Sequence, residues 1–118
     1  MSPLVEEKCV SCHGGVPPLN NDEIAQLLPE VPGWEVIEVE NQKRLQRTFK
    51  FKDFANALDF TNRIGQIAEA EGHHPLMITE WGKVTVAWWT HAIGGLHRND
   101  FIMAAKTNQI FAQMTANG

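Results

Sequence analysis

The sequence is short of positive charge. Lys and Arg number 10 against 14 Asp and Glu, a formal net charge of −4 over 118 residues. Electrostatics therefore gives no reason to expect a nucleic-acid partner. No apolar stretch approaches the ~20 residues of a membrane span. The first residues, MSPLVEEKC, carry acids and no apolar run, so no export signal is expected and the protein is read as soluble and cytoplasmic. Also missing are a His-Glu-x-x-His zinc helix, a Gly-rich phosphate loop and a Ser or Cys nucleophile arrangement. Solenoid repeats and low-complexity tracts are absent too. What is there is ordinary for a globular chain: 43% hydrophobic and 20% charged residues. One domain is expected at this length, burying roughly 65% of its unfolded surface.

Cysteine is scarce as well. The two present, Cys9 and Cys12, stand as Cys-Val-Ser-Cys followed by His13. Cys-x-x-Cys-His is a c-type haem attachment pattern, but such attachment goes with export. A closed zinc site takes four ligands, and this pattern offers three with no second Cys pair. A thioredoxin-like site belongs beside a βαβ unit, whereas Pro and Gly surround this one. The preferred reading is a pair of reduced thiols in a loosely ordered leader, residues 1–20, which ends in the Gly/Pro cluster GGVPPLN. Residues 21–118 then form the single domain.

Hydrophobic periodicity sets out that domain. Asn20 to Glu23 offer caps and first-turn acids for a short helix over 24–28, stopped by Pro29 and Pro32-Gly33. Residues 34–39 read as a strand, with a turn around Asn41-Gln42. The next segment alternates, with Leu45, Phe49 and Phe51 on one side, Arg47 the exception among them, and Gln46, Thr48, Lys50 and Lys52 on the other. Asp53 opens the longest helical stretch, with Phe54, Ala57, Leu58, Thr61, Ile64 and Ala68 as its apolar face and Gly72 as its left-handed cap. Residues 77–81 and 83–91 read as a second hairpin turning near Gly82, with Val84, Val86 and Trp88 on one face and Ala87, Trp89 and His91 on the other. A last helix starts around 97–100, burying Met103, Ala104, Thr107, Ile110, Phe111 and Met114. The order α-β-β-α-β-β-α lacks a βαβ rhythm. The class is α+β, with a four-stranded antiparallel sheet and three helices on one face.

Chemistry concentrates in residues 69–100, which hold four of the five histidines and three of the four tryptophans. Imidazole is the side chain suited to proton transfer near neutral pH. His73 follows Glu69 by four residues, so the two could meet across the last helical turn; a histidine capping the last carbonyls is the bland alternative. Pro75 forces His74 into extended backbone, fixing the His-His pair at a helix-to-strand corner. His91 at a strand end is more often a surface residue, Asp100 in a first turn is favoured by the helix dipole alone, and His97 reads as an N-cap. Trp81, Trp88 and Trp89 read as core or interface, although a flat heterocycle stacks well on such rings. As a metal site the cluster is a weak pattern, and none is expected.

Glu69-x-x-x-His73-His74-Pro75, then five residues to Trp81, nine to His91 and eight to Asp100, resembles the signature of the pterin-4a-carbinolamine dehydratases. Phe49-Lys50-Phe51-Lys52-Asp53-Phe54 is similar to that family's strand-to-helix junction, and the Cys-x-x-Cys leader to that of bacterial members. The resemblance implies a lyase with no metal or organic cofactor, which removes water from 4a-hydroxytetrahydropterin left by aromatic amino acid hydroxylases. Carried over, His73, His74 and His91 line the pterin pocket. His73 and His91 are the acids for the leaving hydroxyl, and His74 binds the pterin and takes the N5 proton. Trp81 is a further pterin-binding residue, and Asp100 and Glu69 orient imidazoles. His97 departs from the Ser of animal members. The resemblance also implies a dimer or tetramer and a functional link to phenylalanine hydroxylase. Animal relatives serve in addition as a dimerisation cofactor of a homeodomain transcription factor, so a regulatory protein on the same fold is the alternative.

Overall fold

The structure, a computed structural model, describes residues 4–10 and 16–116. Its first α-helix, α1 (Asn21–Leu27), begins where Asn20 accepts the Glu23 N–H at 2.9 Å and Glu23 takes the Asn20 N–H at 2.9 Å, a reciprocal capping box. That box starts the helix three residues before the expected position. The chain continues through Pro29 as a 3-10 turn, Leu28–Glu30, whose first turn leaves no amide for proline to disrupt.

Strands β1 (Glu35–Val39) and β2 (Gln42–Lys50) form a hairpin closed by Glu40 and Asn41, both at positive φ (52° and 66°). Two left-handed residues make the turn whose twist matches paired strands. The turn thus falls one residue earlier than the sequence suggested, at the Asn that tolerates this conformation. The second hairpin joins β3 (Leu76–Glu80) to β4 (Lys83–Trp88). All pairings are antiparallel and the spatial order is β1-β2-β4-β3. Burial explains the order: β4 is covered nearly throughout, while β3 alternates and leaves Leu76 and Ile78 exposed, which suits an edge.

The expected class, sheet and order α-β-β-α-β-β-α are all found. Helix α2 (Phe54–Glu71) is capped by the Asp53 carboxylate, which accepts the Asn56 N–H at 2.9 Å. Its buried residues are Ala57, Phe60, Ile64 and Ala68. Phe54 and Leu58, assigned to that face from periodicity, are exposed, and Phe60 takes their place. The buried stripe is therefore rotated toward the aromatic cluster, where Phe60 meets Phe49 at 4.8 Å and Phe51 at 5.1 Å between ring centroids. Helix α3 (Arg98–Ala116) buries Phe101, Ile102, Met103, Ala104 and Thr107. Arg47, the exception in β2, keeps its place on the covered face by lying over Phe49 at 4.4 Å and donating to Asn108 Oδ1 at 2.7 Å.

Candidate active site

The corner after α2 is set by local backbone chemistry. Gly72 adopts φ 66°, its N–H reaches Glu69 O at 3.3 Å, and the His73 N–H reaches Ala68 O at 3.1 Å. This is a Schellman closure, and it fixes the backbone of His73 as the first residue beyond the turn. The turn swings His73 away from Glu69. Glu69 Oε1 instead lies 3.2 Å from His74 Nε2, and both side chains of that pair are exposed.

His73 finds a different carboxylate. Its Nε2 lies 2.6 Å from Oδ1 of Asp100, which is fully buried in the first turn of α3. The other oxygen, Oδ2, accepts the Thr90 hydroxyl at 2.8 Å and the His97 N–H at 2.9 Å. A backbone N–H can only donate, and an ionised carboxylate can only accept. With the carboxylate accepting at both oxygens, His73 donates from Nε2 and Nδ1 is the nitrogen left to face a ligand. The ring is also held from its face, stacked on Trp88 with centroids 5.7 Å apart and planes 12° from parallel.

His97 caps α3 as the sequence indicates. Its Nδ1 accepts the Asn99 N–H at 2.9 Å, and Asp100 accepts the His97 N–H in return, a reciprocal cap in which imidazole takes the usual hydroxyl role and bonds the second rather than the third helical amide. Burial, the largest influence, pushes the His97 imidazole below its ordinary pKa; Asp100 pulls the other way and the charge of His73 adds to the depression. A neutral ring is what an accepting Nδ1 requires.

The expected strand to residue 91 stops at Trp88. Thr90 pairs back to Gly95, with N–H to O at 2.9 Å, and His91–Ile93 make a 3-10 turn between them. His91 therefore sits on a short closed loop, its ring 4.5 Å from Trp89. Trp89 is covered on its own account by Arg44, whose guanidinium carbon lies 3.8 Å from the ring centre. Trp88, the last residue of β4, backs His73, and Trp89, the residue after it, backs His91.

These elements surround a cleft of about 710 Å³. His73, His74 and His91 all line it, with Trp89, Thr90 and Asn99. Asp100 stands behind His73. Trp81 is not brought to this cleft; it lies at the β3–β4 turn, at the opposite end of β3 from His74, and is 73% exposed. Thr90, Asn99 and Val10 enter the site without having been singled out from the sequence, since each joins through contacts distant along the chain, and Cys9, marked there only as part of the Cys-x-x-Cys motif, joins them. Among the described residues no group of three or more His, Cys, Asp or Glu side chains is placed to hold a metal ion, and no helix is long and apolar enough to cross a membrane. Cys12 and His13 lie outside the described residues.

Sheet order, helix placement and a cleft lined by histidines define an α+β protein whose candidate site lies where α2, β4 and α3 meet. The family model described as Pterin 4 alpha carbinolamine dehydratase matches residues 17–110, and the chain belongs to that family. It is 54% identical over 113 residues to a protein of Gloeobacter violaceus provisionally named pterin-4-alpha-carbinolamine dehydratase 1, covering 96% of this chain and 97% of that one. A similarly named protein of Chlorobium limicola is 60% identical over 107 residues, covering 91% and 95%. Among solved structures, a transcriptional coactivator/pterin dehydratase from Brucella melitensis superposes with a TM-score of 0.72 at 33% identity, over 79% of this chain and 97% of that one.

Proposed function

We propose that the chain is a hydro-lyase that converts 4a-hydroxytetrahydropterin to quinonoid dihydropterin and water by histidine acid–base catalysis. The observation that carries this reading is the meeting of His73, His74 and His91 at one cleft, with one imidazole locked by a buried carboxylate. In the reaction the C4a–O bond breaks, the hydroxyl takes up a proton and leaves as water, and N5 gives up its proton as the C4a–N5 double bond forms. One proton enters at oxygen and one leaves from nitrogen, so an acid and a base complete the chemistry with no net change in the protein's protons.

His73 and His91 act as the acids. His73 donates from Nδ1 as the imidazolium, whose other N–H, at Nε2, is held by Asp100; the carboxylate supports that cation and fixes the ring plane as it does behind a catalytic imidazole. His74, at the mouth and steadied by Glu69, binds the pterin and accepts the N5 proton. The substrate comes from a pterin-dependent aromatic hydroxylase, phenylalanine hydroxylase being the expected source, and the activity recycles that cofactor. Copies assemble as dimers or tetramers, with the exposed edge strand β3 as the seam.

The test is the rate of water loss from 4a-hydroxytetrahydropterin with and without protein. Acid–base catalysis of this kind contributes roughly 10²- to 10⁴-fold. No acceleration, or an unaltered rate in His74→Ala, would refute the reading. The paired description of the Brucella melitensis protein favours a second reading, an interaction protein on the same fold. A stoichiometric protein partner recovered together with an inactive dehydratase assay would favour it.

A further inference from the structure

The described part of the leader is docked onto the domain. Leu4 is buried, Lys106 Nζ donates to Val5 O at 2.8 Å, and Arg98 grips Glu7 through two hydrogen bonds of 2.9 and 2.7 Å. Beyond these anchors the chain bridges the two helices that carry the site. The Cys9 N–H donates to Glu71 Oε1 at 2.8 Å, at the end of α2 beside His73. The Val10 N–H donates to Asn99 Oδ1 at 3.0 Å and Val10 O accepts from Asn99 Nδ2 at 2.7 Å, beside Asp100 in α3. A buried side-chain amide thus pairs with both peptide groups of Val10 as a neighbouring strand would.

Cys9 and Val10 line the cleft with the histidines. Val10 keeps 63% of its surface exposed although its backbone is fixed at both polar groups, so an apolar side chain is held out beside the site. The family model begins at residue 17, so this wall is not part of the matched domain. The Gloeobacter violaceus alignment spans 113 of 118 residues and omits at most 118 − 113 = 5 at either end, so it takes in both positions.

We propose that Cys9 and Val10 form a wall of the substrate cleft that sets how tightly the pterin is held, and that Asn99 is the residue that positions this wall. The proposal rests on the pterin reading of the cleft. Val10 offers apolar contact to the heterocycle or its side chain, and the Cys9 thiol is engaged with the Asn99 carbonyl at 3.9 Å, so the wall acts on binding and leaves the chemical step to the histidines.

Three readouts test it. Val10→Ser, at an exposed position, raises KM for 4a-hydroxytetrahydropterin by about tenfold, the worth of a lost apolar contact in a pocket, with kcat within about twofold of the native value. Asn99→Ala raises KM in the same way and also speeds trypsin cleavage after the exposed Lys8 several-fold, because the segment around Cys9 and Val10 detaches more often; Asn99→Asp, which keeps the acceptor for the Val10 N–H, restores part of both. Native protein with 7,8-dihydrobiopterin, which has no 4a-hydroxyl to lose, is protected at Lys8–Cys9. Unchanged KM in both Val10→Ser and Asn99→Ala in an active enzyme overturns the wall while leaving the dehydratase standing. A native protein without dehydratase activity overturns the reaction instead, and protection of Lys8–Cys9 by 7,8-dihydrobiopterin then decides the wall by itself: protection supports it, no protection overturns it.

Discussion

Replacing Asp100 by Asn separates the orientation of His73 from the stability of the fold. Three donors converge on this fully buried carboxylate: His73 Nε2 at 2.6 Å, the Thr90 hydroxyl at 2.8 Å and the His97 N–H at 2.9 Å. Asp100→Ala would strand all three at about 1–3 kcal/mol each, a large part of the ~5–15 kcal/mol that holds a domain together, so it is a poor kinetic probe. Asn keeps the shape. Its carbonyl oxygen must face the His97 N–H, because that amide cannot turn, and it also serves Thr90. The NH2 group then faces His73 Nε2, and two donors cannot share one bond. His73 moves its proton to Nδ1, and the imidazolium, which needs N–H at both nitrogens, is disfavoured. Trading a charged acceptor for a neutral one costs about 1–2 kcal/mol in stability. Losing the imidazolium that donates from Nδ1 costs roughly 10²- to 10⁴-fold in kcat, equal to about 2.7–5.4 kcal/mol at 1.36 kcal/mol per decade. Stopped-flow dehydration, a melting curve and long-range ¹H–¹⁵N spectra of the imidazole read the three quantities. A folded Asp100→Asn variant that turns over at the native rate, or that keeps the Nε2–H tautomer, refutes the reasoning.

Gly72→Ala places a Cβ at φ 66° where no atom lies within 4 Å, so only backbone strain opposes it; chemical denaturation is expected to show a loss of about 1–2 kcal/mol, with Asn at the same position losing less. Stability also depends on pH through His97. Its folded pKa is lowered, so the unfolded chain binds more protons below the ordinary value near 6.5, and stability falls as pH drops through that value toward the folded pKa. Denaturant midpoints between pH 7.5 and 5 should show that slope reduced in His97→Ser, and an identical slope in both proteins would contradict the neutral cap. Ile78→Asp, on the exposed face of the edge strand, is expected to shift sedimentation toward a single chain; an unchanged assembly would move the seam elsewhere.

Local chemistry was legible in the amino-acid order alone. The hairpins, the α2 cap at Asp53, the left-handed Gly72 and the imidazole cap at His97 depend on hydrogen bonds and periodicities that span a few residues, so neighbouring residue types suffice to place them. Phe60 escaped because the true stripe of α2 is set by the aromatic cluster it meets, and Trp81, which the family resemblance had added to the pterin site, stands at the far end of β3 from His74.

Which groups meet was settled by the folded chain. His73 reaches Asp100 across 27 positions, Thr90 reaches it across 10, and Asn99 reaches Val10 across 89. Glu69 went to His74 because a single left-handed residue turned the chain between it and His73. Side-chain partners at such separations follow from how α2, β4 and α3 pack, and packing is a property of the whole core rather than of any window of the chain.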